Sequence, residues 1–115
     1  GEGGKKARLE HRMADASANP YAAVAAVLQA ARLGYEGRYP LPPMETGDCF
    51  GSNDAEHGTA ESLGAALDDL GADKALMAAM GQLFCDHHIH MKRVEVEKTK
   101  ELAGDALRDW YIWFI

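Results

Sequence analysis

Cysteine is scarce. Cys49 and Cys85 are the two in 115 residues, too few for a disulfide framework and at no zinc-site spacing, so reduced thiols in the cytoplasm are expected, with one bridge left open. Positive charge is also in deficit: 12 Lys+Arg stand against 18 Asp+Glu, a net charge of −6 at pH 7. A surface that binds nucleic-acid phosphates needs a cationic excess, so nucleic acid is excluded as a partner. There is no long hydrophobic run either. The most apolar stretch, Pro20 to Ala31, is too short and too rich in alanine to span a membrane, and Gly1 to Arg12 holds no signal-peptide core. A soluble, untargeted protein is expected. The chain also begins Gly-Glu-Gly-Gly without an initiator Met, which predicts a piece of a longer protein.

What is present reads as globular: 47% of the residues are apolar and 26% charged, enough for one domain at most. The charge is uneven. Lys5, Lys6, Arg8 and Arg12 make the start a small basic island, whereas residues 13–91 carry 3 cations and 11 anions. Leu9, His11 and Met13 alternate with Arg8, Glu10 and Arg12, a period of two that predicts a strand over residues 5–13 with one charged face. Asn19-Pro20 predicts a helix start, because Asn caps free N–H groups and Pro suits the first helical position. Gly34 is the expected stop. Tyr21 to Leu33 is apolar except at Gln29 and Arg32, so the helix over 19–34 is expected to be buried, with neighbours beyond what a chain this short supplies.

Residues 35–58 hold Pro40, Pro42, Pro43 and four glycines and read as a long loop. Helices then fill 59–115: a short one capped by Thr59 to about Leu70, and a longer one capped by Asp73 to about Leu102. Leu76, Met80, Leu83, His87, Met91 and Val94 recur at steps of three and four, predicting one buried stripe. Trp110, Tyr111, Trp113 and Phe114 form an aromatic end that is expected to dock on its own subunit or on a neighbouring one. The whole is an α+β arrangement: one strand, three main helices and a long loop.

Two groups of residues carry chemistry. On a strand, Arg8, Glu10 and Arg12 share a face at roughly 6.5 Å intervals. A carboxylate between two guanidiniums stays ionised and can bind a hard divalent cation, and the guanidiniums can grip phosphate or carboxylate. Taken alone, the triplet is a solvated strand face with minor ion pairs. Cys85, His87, His88 and His90 could hold a soft metal, Cys85 with His88 and His87 with His90 each sharing a helix face. No second ligand cluster completes a tetrahedral site, and His87 lies on the apolar stripe, so these read as a core histidine and surface residues.

The triplet gains meaning from its context. Arg8-Leu9-Glu10-His11-Arg12 is followed by Asp15-Ala16-Ser17-Ala18-Asn19-Pro20-Tyr21 and an alanine-rich helix. This resembles the glutamine synthetase family, which carries an Arg-Ile-Glu-x-Arg strand, a short linker and an Ala-Asn-Pro-Tyr helix start near the beginning of the last quarter of its chain. The motif covers Lys5 to about Gly34. Ala31 and Leu33 depart from it, standing where many members have Gly and Asp.

The resemblance implies the C-terminal, mostly helical part of a catalytic domain. It also implies a magnesium (or manganese) ligand in Glu10, a glutamate-binding catalytic residue in Arg12, and ATP-side contacts from Lys5 and Arg8. The implied reaction is an ATP-dependent ligation of L-glutamate and ammonia through a γ-glutamyl phosphate, run by a ring-forming homo-oligomer. The 115-residue piece alone is expected to be inactive. Methylamine or a polyamine as acceptor remains open, as does a non-catalytic helical module used for assembly.

Overall fold

The computed structural model describes residue 4, residues 10–11, 13–15, 18–43 and 58–114, with residue 114 described by its backbone alone. Among the described residues from 10 onward, regular structure consists of five α-helices and a closing 3-10 turn: α1 (Pro20–Glu36), α2 (Leu63–Ala72), α3 (Lys74–Met80), α4 (Gln82–Thr99), α5 (Gly104–Tyr111) and Ile112–Phe114. The protein is mostly helical.

The expected strand is not seen among the described residues. Glu10, His11 and Met13 have no strand hydrogen bonding; the rest of 5–13 lies outside the described residues. A strand exists only by pairing, and no partner strand is found among the described residues.

Helix α1 starts where its cap dictates. Asn19 Oδ1 accepts from the backbone N–H groups of Tyr21 and Ala22 at 3.0 and 3.2 Å, with Pro20 at the first helical position. The helix continues through Gly34 and ends at Glu36. Gly37 N–H donates to Leu33 O at 2.8 Å, and Tyr39 N–H to Gly34 O at 3.0 Å. A Cβ at Gly37 would lie 2.6 Å from the Tyr39 ring and 2.9 Å from Leu33 O, so the tight turn requires glycine there, not at 34. Arg32 also bridges Gln29 and Glu36 along the last turns at 2.9 and 2.7 Å.

Helices α2, α3 and α4 pack on one another, and α1 joins them through α3. Each of the three mutually packed helices contributes one buried apolar residue: Leu67, Met77 and Cys85. They are the buried apolar residues among those described. Cys85 Sγ sits 3.8 Å from Met77 O, and an Arg93–Asp68 ion pair ties α4 to α2. Helix α1 has no fully buried side chain; Tyr21, Val24, Leu28 and Tyr35 are exposed, because among the described helices α3 is the one that packs substantially on it. The Cα radius of gyration is 17.1 Å, against about 13 Å for a compact chain of this length.

Of the loop expected over 35–58, residues 35 and 36 belong to α1 and 44–57 lie outside the described residues; the region from residue 58 onward corrects two further expectations. Ser62, not Thr59, caps α2, its Oγ accepting from Ala65 N–H at 3.1 Å. Asp73 does cap the next helix, through Leu76 N–H at 2.9 Å, but that helix stops at Met80. Gly81 has φ +98°, a conformation that glycine alone adopts without strain. The break turns α4 onto a new face. Cys85 is buried and His88, Ile89, Lys92, Glu95, Val96 and Thr99 are half-buried, while Leu83, His87, Met91 and Val94 are exposed. His87 is therefore not a core histidine.

Helix α5 is tied back to α4 by Tyr111, whose hydroxyl donates to Glu95 Oε1 at 2.9 Å. Lys92 Nζ holds the other oxygen of that carboxylate at 2.7 Å. Burial, and then the bond to Glu95, raise the Tyr111 phenol above its ordinary range, so it stays a donor. Of the aromatic end, Trp110 and Tyr111 are half-buried and meet edge to face at 4.8 Å, whereas Trp113 is 86% exposed.

Candidate functional site

The Glu10 segment is carried to α1 by a chain reversal. Ala18 N–H donates to Asp15 O at 3.1 Å, and the next residue, Asn19, caps α1. His11 and Ala14 line one side of an apolar cleft of about 500 Å³, whose other walls include Ala23, Val27 and Ala30 of α1 and Leu76 of α3. Glu10 and His11 are both exposed.

Of the residues singled out by the sequence, Glu10 is placed at the surface. Lys5, Arg8 and Arg12 lie outside the described residues, as does Cys49. The alternation of His11 with Met13 does not describe the cleft wall: Met13 is 68% exposed, and His11 lines the cleft with Ala14 instead.

A hard divalent cation fits the chemistry of Glu10, an accessible carboxylate oxygen donor. It would be one ligand of several, since no group of three or more metal-ligating side chains occurs among the described residues. The Cys85 and histidine cluster fits no metal. Cys85 is buried, and its burial, then the neighbouring Asp86 carboxylate, push the thiol above its ordinary range, which disfavours the thiolate that zinc requires. His87 and His90 face away from it on α4, and His88 stacks on Phe84 with ring centroids 6.1 Å apart. Zinc is therefore expected to bind no tighter than about 1 µM, since a two-histidine site without a thiolate leaves the ion half-coordinated. Competition with a chelating dye measures this, and a tighter affinity lost on His88→Ala would refute it.

The profile of the family described as "Glutamine synthetase, catalytic domain" matches residues 1–111. The chain belongs to the glutamine synthetase family. Its relatives include the glutamine synthetases of Methanocaldococcus jannaschii, 29% identical over 113 residues (93% of this chain, 24% of the relative), Methanococcus voltae, 32% identical over 115 residues (93% and 24%), and Pyrococcus abyssi, 36% identical over 117 residues (91% and 26%). The chain spans about a quarter of the length of these relatives. No solved structure matches it significantly. Among the described residues of this family member, no helix is long and apolar enough to cross a membrane.

Proposed function

We propose that this chain is the C-terminal part of an ATP-dependent glutamate–ammonia ligase and that it supplies four residues to the active site. The observation that carries the reading is the family match over residues 1–111, which spans Arg8-Leu9-Glu10-His11-Arg12 and the Asn19-Pro20-Tyr21 helix start in their family order.

In this reading Glu10 is one oxygen ligand of a magnesium or manganese ion, which when bound neutralises charge on the phosphates. Arg12 binds the substrate glutamate by a bidentate, charge-assisted contact, and Lys5 and Arg8 lie on the ATP side. The glutamate side-chain carboxylate attacks the terminal phosphorus of ATP, and ADP leaves. Ammonia then attacks the acyl carbon of the γ-glutamyl phosphate and inorganic phosphate leaves. The chain's residues contribute positioning and electrostatic stabilisation in both steps. The full-length protein works as a homo-oligomeric ring in the cytoplasm.

The test is ADP release by the full-length protein, expected to depend on glutamate and ammonia together. Arg12→Ala should raise the KM for glutamate by the loss of about 2 to 3 kcal/mol of charge-assisted contact, roughly 30- to 150-fold, with the magnesium requirement little changed. ADP release indifferent to glutamate would end the reading.

A further inference from the structure

We propose that α5 is a hinged strap: it turns about Gly104 and is latched to α4 by the Glu95 carboxylate, so that the latch decides whether the aromatic end is held in place.

Helices α1 to α4 hold one another by packing side by side, whereas α5 packs substantially on none of them. It has no fully buried side chain; Leu107, Trp110 and Tyr111 are half-buried and the rest of it is exposed. An element with so little buried contact opens at a lower free-energy cost than the core it borders. Arg108 pairs with Asp105 and Asp109 of the same helix, contacts inside α5 that do not tie it to α4. The Ile112–Phe114 turn packs on α5 and so moves with it.

The joint between α4 and α5 is free to turn. Gly104 has φ +54°, a conformation that glycine enters without strain, and a Cβ there would meet nothing within 4 Å. The preceding Ala103 gives the helix start no side-chain cap, unlike Asn19, Ser62 and Asp73 at the starts of α1, α2 and α3. The entry angle of α5 is therefore not fixed by a cap.

The latch lies at the other end of the helix. Tyr111 donates to Glu95 Oε1 at 2.9 Å, and Lys92 Nζ holds Oε2 at 2.7 Å. Lys92 and Glu95 are neighbours one turn apart on α4, so α4 alone sets the acceptor that α5 must reach. A carboxylate acceptor makes the tyrosine hydrogen bond about twice as strong as a neutral one. The bond is also releasable. The Glu95 side chain is 18% exposed, and with α5 lifted it keeps Lys92 and gains water, so no unpaired charge is left buried. Opening thus costs a charge-assisted hydrogen bond and the half-buried faces of Leu107, Trp110 and Tyr111.

The experiment is hydrogen–deuterium exchange with mass spectrometry on the full-length protein, over peptides covering 104–114 and 82–99. Tyr111→Phe and Glu95→Gln should each speed exchange over 104–114 roughly tenfold or more, the scale of a hydrogen bond to a charged group, while 82–99 keeps its protection. The double variant should exchange no faster than the quicker single one, because both remove the same bond. Gly104→Ala should speed exchange about fivefold, since alanine resists the positive φ that the docked helix requires.

Unchanged exchange over 104–114 in the single variants would refute the latch, and Tyr111→Phe decides this even if Glu95→Gln does not fold. Effects that multiply in the double variant would mean that Tyr111 and Glu95 act apart, and would refute it equally. If 82–99 loses protection along with 104–114, α5 opens only with the core and is no strap. Unchanged or slower exchange in Gly104→Ala, the outcome of alanine's better helix propensity alone, would refute the hinge.

Discussion

Glu10→Gln in the full-length protein is expected to lower turnover by about two orders of magnitude and to raise the magnesium concentration needed for half-maximal rate. Gln keeps the size and shape of Glu but removes the charge that a hard divalent cation requires of its oxygen ligands. The fold should hardly change. Glu10 is exposed, and surface substitutions of this kind shift stability by about 0.5 kcal/mol or less. Steady-state kinetics against magnesium, with unfolding as a control, separate the two readings of the Arg8, Glu10 and Arg12 triplet. A solvated strand face would give near wild-type kinetics in Glu10→Gln, and that result would remove Glu10 from the active site.

Met77→Ala should be the most destabilising single change in the helical part, by about 2 to 5 kcal/mol, whereas Met91→Ala should cost about 0.5 kcal/mol or less. Met77 is 3% exposed and Met91 55%. Met77 lies on α3, which touches α1, α2 and α4, so its truncation leaves a cavity where the helices converge. The contrast is informative because Met80, Met91 and their neighbours form a continuous stripe at helical spacing in the sequence. If that stripe were the core, Met91→Ala would be the costly one. Calorimetric unfolding of both variants decides it, and equal losses would mean that Met91 is covered in the assembled protein.

The helix starts were readable because capping is a local matter. Asn19 before Pro20, and Asp73 before an apolar run, satisfy free N–H groups within three residues of themselves, and no distant part of the chain is needed for that. The Arg8 to Tyr21 motif was readable for a different reason: its residue types stand in the family's order and separation, which sufficed for the family resemblance. The end of α1 was misplaced by two residues because both Gly34 and Gly37 can stop a helix, and only the close approach of Tyr39 to Gly37 distinguishes them.

What the sequence by itself determined, then, is the helical character, two of the helix starts, the family and the charged residues offered to chemistry. The tertiary structure alone decided which faces are buried. Periodicity reports that a helix has an apolar side but not where the helix is interrupted, and the positive φ of Gly81 resets the phase, so that Cys85 turns inward and His87 outward. It also decided that α1 packs on α3, a contact between segments far apart in the chain. Such contacts form only when the gain from burying apolar surface exceeds the entropy of closing the loop between them, a balance set by the packing of whole helices rather than by any one stretch of residues.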